Sequence, residues 1–208
     1  VLGLIKYDFL GLKTLDVIEE ALDTIEARTG ARPDLDRVPL DDEAVFQLLC
    51  QGDVLGVFQV ESSGMEGLLR RLQPDHIEDI IALLALYRPG PLQTGMVENF
   101  VERKRGRQKV EHLHPLLETI LASTFGIPVY QESIMQAAQS LANYTLPEAD
   151  LLRRAMGKKK PEEMAAQRTR FMTGCAENGV EPGRAKAIFD LFEGFAAYGF
   201  NRCLSGST

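Results

Sequence analysis

Tryptophan is absent from the 208-residue chain, and cysteine and histidine are scarce, with three residues of each. The cysteines are odd in number and far apart in the sequence: Cys50, Cys175 and Cys203. That pattern predicts neither a disulfide framework nor a CxxC metal site, so reduced thiols are the expectation. His112 and His114 lie two residues apart without further ligand residues at metal-site spacing, which argues against a metal site there.

Long apolar runs are missing as well. No stretch of about eighteen apolar residues could span a bilayer, and the first residues lack the basic and apolar pattern of a secretion signal. We therefore expect a cytoplasmic protein without a membrane partner. The hydrophobic content of 45% is enough for a sizeable buried core, and the length predicts one large domain or two small ones.

Helical periodicity is the main pattern that the chain does contain. Apolar residues at three- and four-residue spacing predict a series of helices. Their approximate ranges are 14–29, 41–51, 62–73, 76–87, 94–107, 131–144, 146–157, 161–176 and 183–195. Short strands are predicted at 1–12, 54–60 and 125–130, which are rich in apolar and β-branched residues. The expected fold class is mainly α with a few short strands (α+β).

Capping residues predict where some of these helices begin. Asp41 is the expected N-cap of the second helix, with Leu40 and Val45 as a hydrophobic staple. Two capping boxes are predicted, each with a glutamate three residues after the capping residue: Asp75 with Glu78, and Thr145 with Glu148.

Positive charge is concentrated near residue 155, although the formal net charge is -7. The cations of this cluster are Arg153, Arg154, Lys158, Lys159 and Lys160. Arg154 and Lys158 are four apart and share one face of the predicted helix. One interpretation is structural, because cations in a last helical turn complement the helix dipole by about 0.3 to 1 kcal/mol. The other is a phosphate clamp, because guanidinium groups bind phosphate oxygens bidentately and ammonium groups add point charge.

Two other basic segments are open to both structural and phosphate-binding interpretations. The segment RPGP (88–91) predicts a rigid, exposed corner, which is either a stiff turn or a loop that holds Arg88 in advance for an anion. The segment KRGR (104–107) predicts the solvated end of a helix, with phosphate contact as the alternative.

Several motifs in order along the chain resemble one protein family. They are KYDFLGLKTL, FQVESSGM, RLQPDHIEDIIALLALYRPGPLQTGMVENFVERK, YTLPEADLLRRAMGKKKPEEMAAQR and YGFN. Together they are similar to the alpha subunit of bacterial replicative DNA polymerase III, a C-family polymerase, over residues 1 to about 202. The resemblance implies that residues 1–13 are the last strand of a palm domain and that residues 14–202 form the fingers domain.

The resemblance also implies an activity. The expected reaction is template-directed nucleotidyl transfer from a dNTP to a primer 3′ hydroxyl, with two Mg²⁺ ions as cofactors. Asp8 matches one of three palm aspartates that bind these ions, and is the expected catalytic and metal-binding residue. The residues expected to bind the substrate are Lys6, Arg88, Arg153, Arg154 and Lys158.

The family's other two palm aspartates, in a D-x-D strand, would lie before Val1, and the DLD at 34–36 is in a predicted turn and suits the role poorly. We therefore expect a piece of an enzyme that binds dNTP phosphates and DNA but is inactive alone. For the full-length protein the resemblance implies primer–template DNA, dNTP, the sliding clamp and other replicase subunits as partners, in a nucleoid-associated bacterial replisome. The alternatives are a non-catalytic helical module that binds nucleotide or DNA, and a structural interaction domain.

The last six residues, CLSGST (203–208), depart from the family pattern after YGFNR. They resemble the opening of an intein, a self-splicing insertion that begins with a nucleophilic cysteine. In that case the Cys203 thiol attacks the carbonyl of Arg202 and converts the peptide bond to a thioester. A divergent ending, a frameshift and an ordinary surface cysteine are the alternatives.

Overall fold

The computed structural model describes residues 11–158, 161–196 and 198–202, and these ranges are mainly helical. Their α-helices, in chain order, are α1 (Lys13–Thr29), α2 (Glu43–Gln51), α3 (Ser63–Leu72), α4 (Ile77–Leu86), α5 (Pro89–Gln93), α6 (Met96–Lys104), α7 (Pro115–Ile120), α8 (Gln131–Ala142), α9 (Leu146–Lys158), α10 (Pro161–Glu177) and α11 (Pro182–Ala196). Short 3-10 helices cover Leu35–Arg37 and Ala122–Thr124. The predicted helices are all present, and the predictions missed the short α5 and α7. None of the described helices is both long and apolar enough to cross a membrane.

The described helices bury their apolar faces in two hydrophobic cores. The N-terminal core is built by α2, α3, α4 and α6 with residues 127–130, and it includes the fully buried Leu69, Leu83 and Phe100. The C-terminal core is built by α7 to α11, and Phe171 and Phe189 lie near its centre with ring centroids 5.4 Å apart. Burying one such phenylalanine contributes about 1.5 to 3 kcal/mol.

Besides the connection from α6 to α7, the chain crosses between the two cores around residues 121–134 and at the end of α11. Leu121 and Ile134 belong to the C-terminal core, whereas Ile127 and Val129 between them belong to the N-terminal core. The end of α11 makes the second passage, since its buried apolar residues lie in the C-terminal core and Phe195 packs against the N-terminal core. The junction between the cores is therefore built from residues that are distant in sequence.

The strand predicted at 54–60 is wrong, because the segment forms consecutive turns. Val57 N–H donates to the Val54 carbonyl at 3.0 Å, and Val60 N–H donates to the Val57 carbonyl at 3.2 Å. Gly56 (φ 78°) and Gln59 (φ 63°) have left-handed backbone conformations, which break a strand. Two of its apolar residues are buried all the same, since Val54 and Val60 belong to the N-terminal core.

The other two strand predictions have different outcomes. In place of a strand at 125–130, a single parallel bridge joins Tyr130 to Phe200. The predicted strand at 1–12 falls on residues 1–10 for the most part, outside the described residues. Among the described residues, this one bridge is the β structure that replaces the predicted strands.

One predicted capping box is confirmed and two caps are shifted by one residue. The Glu148 carboxylate accepts from Thr145 N–H at 2.7 Å at the start of α9, and this hydrogen bond is the main reason that the pKa of Glu148 is lowered. Asp42, rather than Asp41, caps α2 by accepting from Ala44 N–H at 2.8 Å. The proposed staple of Leu40 and Val45 is also wrong, because both side chains are exposed.

The cap of α4 uses Asp79 instead of the predicted Glu78. The Asp79 carboxylate accepts from the backbone N–H groups of Asp75 and His76, each at 3.1 Å. His76 is therefore the N-cap residue, and Asp79 lies at the third helical position. Glu78 is left to pair with Arg202, a contact that no local pattern predicts.

Helix α1 is amphipathic as predicted, but its apolar stripe is largely uncovered by the described residues. Leu22 is buried, whereas Leu15, Ile18 and Ile25 on the same stripe are exposed. Its polar face is held by Arg32, which pairs with Glu19, Asp23 and Glu26.

Candidate anion-binding site

Arg88 lies between α4 and α5 and caps the start of α5. The RPGP corner is less exposed than predicted, because Pro91 is buried and Arg88 is half-buried. The guanidinium carbon of Arg88 lies 3.4 Å from the centroid of the Phe200 ring, in a cation–π arrangement. Burial lowers the pKa of Arg88, but a guanidinium remains charged at neutral pH. No described carboxylate pairs with it.

Arg153 and Arg154 share one carboxylate on α9. Arg153 donates from Nε and Nη2 to Asp150 Oδ1 at 2.9 and 2.7 Å, and Arg154 Nε lies 2.7 Å from Asp150 Oδ2. The hydrogen bond from Arg153 is the main reason that the pKa of Asp150 is lowered. One negative charge between two guanidinium groups leaves an excess of positive charge. Arg154 is more accessible than Arg153, with side-chain exposures of 60% and 33%.

Gln131, the first residue of α8, connects Arg153 to Gly199 and Phe200. Its Oε1 accepts from Arg153 Nη1 at 3.3 Å, and its Nε2 donates to the Gly199 carbonyl at 2.9 Å. Its backbone N–H donates to the Phe200 carbonyl at 2.9 Å, and Phe200 N–H donates to the Val129 carbonyl at 3.0 Å. We call residues 198–202 the junction segment, because they lie where the two cores meet.

The far end of the junction segment is held by Arg202. Its backbone N–H donates to the Glu132 carboxylate at 3.1 Å, and its Nη2 donates to Glu78 at 2.8 Å. The guanidinium also lies 5.6 Å from the ring centroid of Tyr130. Burial raises the pKa of this tyrosine, so its ring serves as neutral packing. The segment is thus attached to α4 and to the start of α8.

These contacts bring together two of the arginines that the sequence singled out separately. Arg88 rests on Phe200, and Arg153 reaches Gln131, which holds Gly199 and Phe200. Arg154 adjoins Arg153 through Asp150, and Lys158 is one turn further along α9. The arrangement gathers guanidinium groups from both cores, and such groups suit phosphate oxygens. Gln131, Phe200 and Arg202 are the site residues that sequence reasoning missed, and the YGFN motif was the signal that could have found Phe200.

The remaining predicted site residues cannot be placed in this geometry. Lys6, Asp8 and Cys203 lie outside the described residues. Asp75, His76 and Asp79 form a group with metal-ligand spacing in the described part of the chain. An ammonium group already lies between its two carboxylates, since Lys104 Nζ is 2.5 Å from Asp75 and 2.8 Å from Asp79. We therefore interpret this group as a structural ion pair.

The same ion pair makes Lys104 the exception in KRGR, since the other three residues of the run are exposed as predicted for a solvated helix end. Lys104 has a side-chain exposure of 10%, and that of its partner Asp79 is 6%. Arg107 turns back to Glu102, with Nε and Nη2 donating to the carboxylate at 2.7 and 2.6 Å. Arg105 and Arg107 both fit the prediction, since both are exposed. Two of its cations are thus committed to carboxylates within the fold.

The described part of the chain is thus a mainly helical domain with arginines near the junction of two cores. The family model described as the bacterial DNA polymerase III alpha subunit finger domain matches residues 14–179, and the chain belongs to this family. Relatives named DNA polymerase III subunit alpha are 56% identical in Pasteurella multocida, 55% in Haemophilus influenzae and 52% in Escherichia coli K12. Each alignment covers 99% of this chain and 18% of the relative. The chain therefore spans about a fifth of the length of these relatives.

Proposed function

We propose that the chain is the fingers portion of the catalytic subunit of a replicative DNA polymerase, and that its arginines bind the triphosphate of the incoming dNTP. The observation that supports this assignment is the junction segment, which links Arg88 and Arg153 through Phe200 and Gln131. Membership of the finger domain family supports the polymerase assignment. Lys6, Arg154 and Lys158 complete the proposed phosphate-binding set.

In the proposed reaction the primer 3′ hydroxyl attacks the α-phosphorus of the dNTP, and pyrophosphate leaves. The guanidinium groups would bind the phosphate oxygens of the triphosphate and hold them in place from substrate binding through the reaction. Because the described arginines outnumber the carboxylate beside them, their charge is not cancelled within the fold.

Two Mg²⁺ ions would supply Lewis acidity at the reacting oxygens. Carboxylate oxygens are suitable ligands for this hard cation, and we assign Asp8 to this role together with further aspartates of the full-length protein. Asp150 is not a candidate ligand, because both of its oxygens are engaged by Arg153 and Arg154. The described arginines would therefore act on the substrate rather than on the metal.

The partners follow from the same proposal. The full-length protein would bind primer–template DNA and dNTP, and it would assemble with a sliding clamp and other replicase subunits in the bacterial cytoplasm. The chain alone would be inactive in DNA synthesis, because it carries one of the three expected metal ligands. Its affinity for DNA would be weak, because its formal net charge is -7. That affinity would be sensitive to salt, because cations that contact phosphates release counterions from the DNA.

Replacing Arg154 by alanine tests the proposed phosphate contact. Loss of a hydrogen bond to a charged group costs about 1.5 to 3 kcal/mol, so we expect kcat/KM for the nucleotide to fall at least about tenfold. Affinity for primer–template DNA should be largely retained. Single-nucleotide incorporation by the full-length polymerase, with a separate DNA-binding assay, measures both quantities.

Arg184→Ala is the matched control, because it removes an exposed arginine from the first turn of α11. Arg184 lies about 18 Å along the helix axis from the end of α11, and the junction segment follows that end. The control should leave nucleotide use unchanged. If Arg154→Ala abolishes DNA affinity instead of nucleotide use, the cluster binds the template backbone and the assignment to the triphosphate is wrong.

The intein interpretation of residues 203–208 stays a prediction. The alignments leave about 1% of the chain unmatched, which is less than a six-residue foreign segment would leave. Peptide mass spectrometry of the mature protein from the source cell tests it. A splice would join Arg202 to a segment similar to serine-histidine-serine, whereas a peptide that runs from Arg202 through Cys203 to Thr208 would exclude one.

A further inference from the structure

Gln131 is the described side chain that contacts both Arg153 and the junction segment. One end of its amide accepts from Arg153 Nη1 at 3.3 Å, and the other end donates to the Gly199 carbonyl at 2.9 Å. A primary amide offers an acceptor and a donor at once. Gln131 therefore links a guanidinium on α9 to a backbone carbonyl 68 positions after it in the sequence.

The backbone around Gln131 holds the side chain in place. As the first residue of α8, Gln131 has an N–H without a partner inside its helix. The Phe200 carbonyl accepts from it at 2.9 Å, so the junction segment satisfies this donor. The same Phe200 carries Arg88 on its ring.

Gly199 allows the junction segment to approach Gln131 closely. A Cβ atom at position 199 would lie 3.2 Å from Gln131 Cγ, which is closer than most contacts of real Cβ atoms. The backbone of Gly199 does not have a left-handed conformation. An alanine there would therefore press on the glutamine without imposing backbone strain.

Without Gln131, Arg153 would be held by Asp150 alone. Its Nε and Nη2 donate to Asp150 Oδ1, and its Nη1 donates to Gln131 Oε1. Arg153 and Asp150 lie on the same helix, so their contact does not depend on the rest of the site. The contact with Gln131 does depend on it, because Gln131 is itself bound to the junction segment.

We infer that Gln131 is a positioning residue, which orients Arg153 for the substrate phosphates only while the junction segment is docked on α8. This inference rests on the proposed function of Arg153. Through this one amide, the orientation of Arg153 is coupled to the segment that also carries Arg88. The two halves of the phosphate-binding site are then assembled together rather than independently.

Gln131→Met in the full-length polymerase tests the inference, because methionine has a similar length and makes neither hydrogen bond. The apparent KM for dNTP should rise about three- to tenfold, the range expected for the net loss of one or two ordinary hydrogen bonds. We expect kcat to stay within about twofold, since the contact would contribute equally to the ground state and the transition state. Gln136→Met is the matched control, because Gln136 lies on the same helix and is exposed.

A double-mutant cycle separates positioning from general stabilisation. If Gln131 acts through Arg153, adding Gln131→Met to Arg153→Ala should change the KM by less than about twofold. Gly199→Ala is an independent variant that presses on Gln131 from the other side, and it remains informative if Gln131→Met fails to fold. It should raise the KM in the parent and have little effect in the Arg153→Ala background.

The outcomes distinguish the inference from the proposed function. A raised KM for Arg153→Ala, with no effect of Gln131→Met or with a fully additive one, would overturn the positioning role and leave the proposed function standing. An unchanged KM for Arg153→Ala would overturn both. The inference holds if both Gln131→Met and Gly199→Ala raise the KM in the parent and lose that effect without Arg153.

Discussion

Replacing Asp8 by asparagine is expected to slow primer extension by the full-length polymerase by several orders of magnitude. The substitution preserves the shape of the side chain and removes the charge that we assign to Mg²⁺ binding. Without that ligand the ions would not hold the primer hydroxyl and the leaving phosphate oxygens in place. Affinity for primer–template DNA should persist, because most of it comes from contacts with the phosphate backbone.

The control for this experiment is Asp16→Asn in the first turn of α1, where the aspartate is exposed. It removes the same charge close by in the sequence and should leave primer extension within about twofold of the parent, as expected for a surface position. Primer extension and DNA binding are measured on the same preparations. Near-normal extension by Asp8→Asn would exclude Asp8 as a metal ligand.

Replacing Lys104 by methionine is expected to destabilise the 208-residue chain by about 3 kcal/mol, because it leaves the buried Asp79 carboxylate without its counter-charge. For a domain of this size the melting temperature should fall by about 6 to 12 °C. Methionine retains most of the apolar stem, so lost packing contributes little. Urea unfolding and calorimetry of parent and variant measure the effect.

The dependence on pH gives this prediction a second test. The hydrogen bond from Lys104 is the main reason that the pKa of Asp75 is lowered. A lowered carboxyl pKa stabilises the fold above the ordinary carboxyl pKa, and this contribution is lost as the pH falls. The difference between parent and Lys104→Met should therefore shrink on acidification.

Arg105→Met is the matched control for Lys104→Met, since Arg105 is the exposed neighbour in the same basic run. Its effect on stability should stay within about 0.5 kcal/mol. Equal effects of the two substitutions would contradict the buried ion pair between Lys104 and Asp79.

The helices that the sequence predicted well are those specified by neighbouring residues. Helix α9 starts where Thr145 and Glu148 form their capping box, and α2 ends where Gly52 adopts a left-handed conformation. Such signals act over three or four positions, so they are visible in the sequence. The caps of α2 and α4 were misplaced by one residue because adjacent acidic residues compete for the same position: Asp41 with Asp42, and Glu78 with Asp79.

The strand predicted at 54–60 failed for a related reason. Its apolar residues are consistent with a strand. The prediction was wrong because Gly56 and Gln59 have left-handed backbones, which an apolar pattern in the sequence does not show. No partner strand lies beside it among the described residues, which form turns and helices there. The segment instead buries Val54 and Val60 in the N-terminal core while its backbone forms turns.

By itself the sequence determined the mainly helical fold, the family, and the arginines from which the candidate site is built. Local periodicity and ordered motifs carry that information, since each depends on residues close together in the chain. Only the tertiary structure decided that Lys104 is an internal counter-charge and that Arg88 and Arg153 are connected through Phe200 and Gln131. Those assignments depend on contacts such as the one between Gln131 and Gly199, 68 positions apart. Contacts at that distance form only when the two cores pack together, so no local pattern in the sequence records them.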